Sequence, residues 1–395
     1  GKSATLKVSK TWVVTDASGT TIGTTHIPAQ SGDDPLPDGL SAQLTLTGPG
    51  AAGATNQAWG TARTGYSAGN TATIDESASV DVSKLPGCTL VTKQVTQSGG
   101  VDITAANLPY TPTLVKGENA FGITNTVKCT TTLSLVKDVA FGSAATDLWT
   151  LSATKPSDSG ALNGPTGKYS AGHPVSGTVT AATAYTLAEA GGPATYVPTA
   201  AGWVCKDAGG AAVTNTSSAV KVPLGQTVTC TITNTTAKLT ILKHIDGDDS
   251  LNANFWNLTA SPASGVSGLN PNTVTGAEGN GGDPNTASTF EVRPGHSYTI
   301  SEALNAAHAS VPYLQVGIQK WDGSNWVAVT SDQVSVDAGQ QAVYRFVNSP
   351  VPTLVLPLTG GVGTDAYLIA GLLALLVAVS LAIWQWRRTV RMGRP

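Results

Sequence analysis

Thr227-Val228-Thr229-Cys230-Thr231-Ile232-Thr233-Asn234 is the stretch on which the fold turns. Threonine alternates with an apolar residue, and β-branched side chains favour the pleated strand over the helix. Successive strand side chains point to opposite faces, so Val228, Cys230 and Ile232 share one face. Asn234 falls in phase with them, which puts an amide at the end of an apolar row.

The same ending occurs twice more, as Phe121-Gly122-Ile123-Thr124-Asn125 and Tyr344-Arg345-Phe346-Val347-Asn348. Three opening strands match as well: Leu6-Lys7-Val8-Ser9-Lys10, Leu133-Ser134-Leu135-Val136-Lys137 and Leu239-Thr240-Ile241-Leu242-Lys243. Middle segments repeat as Thr73-Ile74-Asp75-Glu76, Thr186-Leu187-Ala188-Glu189 and Thr299-Ile300-Ser301-Glu302. A fourth element, Leu148-Trp149-Thr150-Leu151-Ser152-Ala153, matches Phe255-Trp256-Asn257-Leu258-Thr259-Ala260; its first-repeat counterpart, Ala42-Gln43-Leu44-Thr45-Leu46, is less similar. The period, on the order of 100 residues, is that of a domain and not of a solenoid repeat. Short strands punctuated by Gly, Pro and Asn turns predict an all-β chain of tandem Ig-like or prealbumin-like β-sandwiches. The expected modules are 1–128, 129–236 and 237–349. Only 8 to 11 residues separate each closing Asn from the next opening Lys, so short linkers and an end-to-end rod are expected.

Strand phase supplies the functional clue. Lys10, Lys137 and Lys243 share a face with the leucines, valine and isoleucine before them. Glu76, Glu189 and Glu302 follow Ile74, Leu187 and Ile300 in phase, and the three asparagines do the same. All nine polar groups are expected to face the apolar side. Burying an unpaired Lys or Glu costs several kcal/mol, so the coincidence requires a reason.

The pattern resembles the B-type domains of collagen adhesins (CnaB) and related pilin domains of Gram-positive surface proteins. In that family a first-strand Lys and a last-strand Asn form an intramolecular isopeptide bond, assisted by a Glu on a middle strand. The resemblance implies Lys10–Asn125, Lys137–Asn234 and Lys243–Asn348 bonds, assisted by Glu76, Glu189 and Glu302. Desolvation lowers a lysine pKa and raises that of a carboxylic acid, which suits a neutral nucleophile and a proton-carrying acid. The competing reading is a buried ion pair with the Asn as a turn residue. The first repeat departs most from the pattern, having the longest insertion, with Asp33-Asp34-Pro35 within it, and Asp75 beside Glu76.

Four cysteines, Cys88, Cys129, Cys205 and Cys230, form no CxxC pair and are widely spaced, which fits two disulfides outside the cytoplasm. Three connectivities are possible; locality within modules favours Cys205–Cys230 and Cys88–Cys129.

The C-terminus supplies an address. Leu356-Pro357-Leu358-Thr359-Gly360 lies in a linker, 350–366, ahead of an apolar run from Tyr367 to Trp386 and a tail, 387–395, that carries four arginines. The run is long enough to span a bilayer, and the arginines belong on the cytoplasmic side. The order resembles the LPxTG cell-wall sorting signal, which implies cleavage between Thr359 and Gly360 by a sortase and transfer of Thr359 to an amine of peptidoglycan or of another pilin. The implied location is the cell surface, covalently attached to the wall after transient membrane insertion. A permanent tail anchor is the plainer alternative. Since the sequence opens at Gly1 without an export signal, a longer or processed precursor is expected.

Composition narrows the rest. Charged residues make up 12% of 395 and the net charge is -3, with no basic cluster outside the C-terminus, so no nucleic-acid partner is expected. His26, His173, His244, His296 and His308 lack zincin spacing, no phosphate loop or nucleophile elbow occurs, and Asp246-Gly247-Asp248-Asp249 reads as a polar turn because position 12 of a calcium loop would be Asn257. No cofactor, metal or enzyme is expected. The expected function is a structural stalk, an adhesin or accessory pilin, with any host or environmental ligand bound upstream. The alternatives are a polymerising pilin backbone, although its Tyr-Pro-Lys motif is missing and Tyr110-Thr111-Pro112 does not match, or the stalk of a wall-tethered enzyme.

Overall fold

A computed structural model describes residues 2–216, 218–247, 251–279, 286–352 and 364–391. The alternating segments form strands, and the chain is built from prealbumin-like β-sandwich modules with one apolar C-terminal helix. Each module uses five principal strands. The first contains β1 (Ser3–Thr15), β2 (Leu40–Leu46), β3 (Ile74–Val80), β4 (Cys88–Ser98) and β5 (Gly117–Cys129). The second contains β6 (Thr132–Phe141), β7 (Trp149–Thr154), β8 (Ala184–Gly191), β9 (Val197–Asp207) and β10 (Thr227–Thr235). The third contains β11 (Ala237–Ile245), β12 (Trp256–Pro262), β13 (Tyr298–Leu304), β14 (Tyr313–Trp321) and β15 (Gln341–Pro350). Shorter strands extend the sheet edges.

One sheet of each sandwich carries the first, last and fourth strands side by side, with the last in the middle. The other pairs the second strand antiparallel with the third. Inward rows meet between the sheets: Leu6, Val8, Leu44, Ile74 and Ile123 in the first module, Leu133, Leu135, Leu151, Leu187 and Ile232 in the second, and Leu239, Ile241, Leu258, Ile300 and Phe346 in the third. Burying such side chains contributes about 1.5–3 kcal/mol each, the main term holding the sheets together.

First and last strands pair in parallel in every module. The chain therefore enters a module at one end of this strand pair and leaves at the other, and tension along the chain loads the pair in shear.

β5 ends at Cys129 and β6 starts at Thr132, while β10 ends at Thr235 and β11 starts at Ala237. Such short links press neighbouring modules together. Gly87 N donates to Gly225 O across the first junction at 2.7 Å, and Leu224 packs on the cluster of Trp12, Val14, Leu85 and Val127. Gly87 has no room for a side chain, since a Cβ would lie 2.2 Å from Thr130 O. At the second junction Tyr196 OH donates to Glu291 Oε1 at 2.7 Å and Arg293 Nη1 to Ala194 O at 2.7 Å.

Among the described residues, no side chain of the C-terminal helix, α1 (Thr364–Arg391), is buried. Its Tyr367–Arg388 stretch has mean hydropathy 2.4, and 22 residues at 1.5 Å each make about 33 Å, the thickness of a bilayer core. The Leu356-Pro357-Leu358-Thr359-Gly360 motif lies outside the described residues, as do Asp248, Asp249 and the last four residues of the tail.

Candidate intramolecular cross-link sites

Register brings Lys and Asn together in the same way three times. Lys10 pairs with Ile123, Lys137 with Ile232 and Lys243 with Phe346, in each case two residues before the asparagine of the neighbouring strand. A two-residue offset keeps both side chains on one face. With strands ~4.8 Å apart and a ~3.3 Å rise, the two Cα atoms lie roughly 8 Å apart, within a lysine's reach. The acid comes from the facing sheet, again in a constant register: Glu76 opposite Leu44, Glu189 opposite Leu151 and Glu302 opposite Leu258.

The resulting contacts are close and dry in two modules. Lys10 Nζ lies 2.6 Å from Glu76 Oε2, with both side chains wholly buried. Lys243 Nζ lies 2.5 Å from Glu302 Oε2, at 0% and 3% exposure. Beside them Asn125 and Asn348 are buried with neither amide atom hydrogen-bonded, and Glu76 Oε1 and Glu302 Oε1 also lack partners. A buried polar group left unpaired costs about 1–3 kcal/mol, so six such atoms at two sites are a cost to the fold that requires an explanation.

The second module is looser. Lys137 Nζ is 3.4 Å from Glu189 Oε2, whose side chain is 15% exposed. Lys137 instead donates to the carbonyls of Asp138 at 3.1 Å and Ile232 at 3.2 Å. Asn234 Oδ1 and Glu189 Oε2 are enclosed without a hydrogen-bond partner. Although the sequence singles out the first module as the most divergent, the structure gives the second the least settled contacts. Asp75 does not compete for Lys10 either, since its Oδ1 accepts from the Glu76 amide at 2.8 Å.

Burial lowers the amine pKa of Lys10 to about 8, against the opposing pull of Glu76. Lys243 falls to about 8 for the same reason, opposed by Glu302. Lys137 is also lowered by burial, with Glu189 opposing. For Lys10 and Lys243 a measurable neutral fraction at mild pH follows, which a nucleophile requires.

Sequence reasoning missed the aromatic lining. Lys137 Nζ sits 4.7 Å from the ring centre of Trp149, and Lys243 Nζ 4.5 Å from that of Trp256. Both tryptophans precede by two residues the leucine opposite the acid, so the recurrence of Trp149 and Trp256 was the available signal. In the first module that position is Ala42. Trp59 fills the space from a loop, its Nε1 donating to Ala42 O at 3.3 Å, and it joins Trp12 in covering Lys10 at 5.3 and 4.9 Å. No repeat comparison could identify Trp59, because the loop is peculiar to the first module.

Both disulfides are present, Cys88–Cys129 across β4 and β5 and Cys205–Cys230 across β9 and β10. Cys205–Cys230 closes a loop of 24 residues, worth about 3–4 kcal/mol in the chain-entropy account. Replacing both cysteines with alanine should lower the second module's stability by that order in denaturant melts, and leave the third module's transition in place.

None of the five histidines is buried. His26 pairs with Asp33 at 2.5 Å, and His244 with Glu278 at 2.6 Å. Among the described residues no group of three or more His, Cys, Asp and Glu side chains could hold a metal ion.

Residues 128–232 match the family model described as a prealbumin-like fold domain, SpaA_2. Similar solved structures include the Bacillus anthracis TIE protein, at 10% identity and TM-score 0.33 over 86% of this chain and 51% of that one. The pilus adhesin SpaC from Lactobacillus rhamnosus GG matches at 14% identity and TM-score 0.24, over 88% of this chain and 44% of that one. The major pilin from Streptococcus pyogenes matches at 14% identity and TM-score 0.25, over 57% of this chain and 99% of that one. This chain spans about half the length of the first two. No curated protein matches its sequence.

Proposed function

We propose that this chain is the structural stalk of a sortase-anchored surface protein, an adhesin or accessory pilin, stiffened by intramolecular Lys–Asn isopeptide bonds and by its disulfides. The observation that carries this reading is the thrice-repeated register of a buried Lys, an acid from the facing sheet and an Asn two residues along the parallel neighbour. Such a bond would join the two strands that tension shears.

In each site a proton passes from the lysine to the adjoining carboxylate, leaving a neutral amine and a neutral acid. The amine nitrogen attacks the asparagine Cγ, while the acid donates to Oδ1 and polarises the carbonyl. Collapse of the adduct breaks the Cγ–Nδ2 bond, the acid relays a proton to that nitrogen, and ammonia departs. One amine and one primary amide give one secondary amide and one ammonia, with no oxidant or cofactor. Proximity supplies the rate, and each site reacts once. Anchoring rests on Leu356-Pro357-Leu358-Thr359-Gly360, the apolar helix and the arginine tail, with a sortase and peptidoglycan as partners.

Intact mass of the exported domains tests this. The expected deficit against the unmodified reduced chain is one ammonia per bond and two hydrogens per disulfide. Peptide mapping should find the Lys137–Asn234 bond last, since Lys137 has to leave two backbone carbonyls before it can react. A mass equal to that of the chain with disulfides alone rules out the welds. Wall extracts that run as a high-mass ladder on denaturing gels would make the chain a polymerising pilin instead.

A further inference from the structure

The first module holds a second lysine that the other two lack at the corresponding place. Lys93 on β4 stands directly opposite Asn125 in the antiparallel pairing. Directly opposed residues share a face, so Lys93 projects towards the site that Lys10 reaches from the other side of β5. Its Nζ donates to the main-chain carbonyl of Glu76 at 3.0 Å. The residues opposite Asn234 and Asn348 are Pro198 and Gln315.

We propose that Lys93 is a positioning residue for bond formation in the first module: its ammonium ties the strand carrying Glu76 to β4, and holds the acid against Lys10 and Asn125. This rests on the isopeptide reading above. β3 carries Glu76 in the facing sheet, while β4 and β5 belong to the sheet that carries Lys10. The Lys93–Glu76 hydrogen bond is therefore a tether between sheets at the level of the reaction. The Glu76 peptide is held on both sides, its amide by Asp75 Oδ1 and its carbonyl by Lys93. The first module needs such a tether because Ala42 replaces the tryptophan that fills the equivalent space beside Lys137 and Lys243.

A second effect acts in the same direction. The charged groups acting on Lys10 are Glu76 from β3 and Lys93 from β4, while β5 presents the neutral Asn125 and the remaining walls are Trp12 and Trp59. A fixed cation beside Lys10 disfavours a second ammonium and lowers that amine's pKa. Lys93 thus both orders the acid and helps to keep the nucleophile neutral.

The test is a pulse-chase of the full chain, made in a cell-free reaction with detergent and chased at graded pH. Mass spectrometry then follows the linked Lys10–Asn125 peptide. Lys93→Gln should slow its appearance several-fold near neutral pH, because the acid is less ordered and the amine more often protonated, and move the rate profile to higher pH. Lys93→Arg keeps a cation and donors and should restore most of the rate. Lys93→Met, which keeps the apolar stem, guards against misfolding, and a formed Cys88–Cys129 disulfide reports a folded first module. The Lys243–Asn348 peptide in the same digest should form at the parental rate. If Lys93→Gln and Lys93→Met, with that disulfide formed, link at the parental rate and pH profile, the assignment of Lys93 is overturned and the isopeptide reading stands. If the parent itself yields no Lys10–Asn125 peptide, it is the isopeptide reading for this module that fails.

Discussion

Glu302→Ala should leave the third module unlinked and lower its unfolding temperature by roughly 20 °C or more. The loop between Lys243 and Asn348 holds about 100 residues, and closing a loop of that size is worth about 4.7 kcal/mol in the chain-entropy account. Each kcal/mol moves the midpoint of a domain this small by about 4–8 °C. The variant also strands Lys243, wholly buried, without the carboxylate 2.5 Å away, and a buried ion stripped of its partner costs a further 3–5 kcal/mol. The third module is the right place for the experiment, because both disulfides lie in the other two and cannot mask the loss. Calorimetry of the exported domains should show one transition moved down, and intact mass should show one ammonia retained. Glu302→Gln keeps the shape but cannot carry the proton, so it should also retain the ammonia while losing less in temperature. A Glu302→Ala protein with parental mass deficit and parental transitions would remove the acid from the chemistry.

The fold was legible because its signal is periodic. Alternation in Thr227–Asn234 and its counterparts needs only an extended backbone to place side chains on faces, and phase alone sets Lys10, Lys137, Lys243 and the three asparagines on the buried side. The disulfide pairs were legible from locality, since each pair joins two strands of one module. What phase does not contain is register between strands and the path of loops. Lys93 faces Asn125 only because β4 and β5 pair as they do, with bulges on either side. Trp59 takes over from an absent tryptophan by way of a loop with no counterpart in the other modules. The swing of Lys137 onto two carbonyls is likewise invisible, being a choice of rotamer and not of face. The consequence is concrete, for the repeat that looks most divergent in sequence has its Lys and Glu in contact, and a closer match to the pattern has them 3.4 Å apart.

Asn348→Ala should make the third module gain stability, relative to the parent, as alkali is added. Without the amide Lys243 cannot be acylated and remains a titratable amine beside Glu302. Burial, opposed by that carboxylate, lowers its pKa to about 8, against 10.5 for the ordinary side chain. Between those two values the unfolded chain binds more protons than the folded one, so the free energy of unfolding rises with pH. Below about pH 8 both forms carry the proton and the cost of the buried charge is constant. Above about pH 10.5 neither form carries it. The gain across the window is roughly 3 kcal/mol. The cavity left by alanine adds a loss that does not vary with pH, so the slope, and not the offset, reports the amine. In the parent the same nitrogen would be an amide that does not titrate, and subtracting its denaturant melts removes the contribution of tyrosines and other lysines. Parallel curves for parent and variant from pH 7 to 10.5 would mean that the parent amine is still free. Convergence of the two as pH rises would mean that it has been consumed.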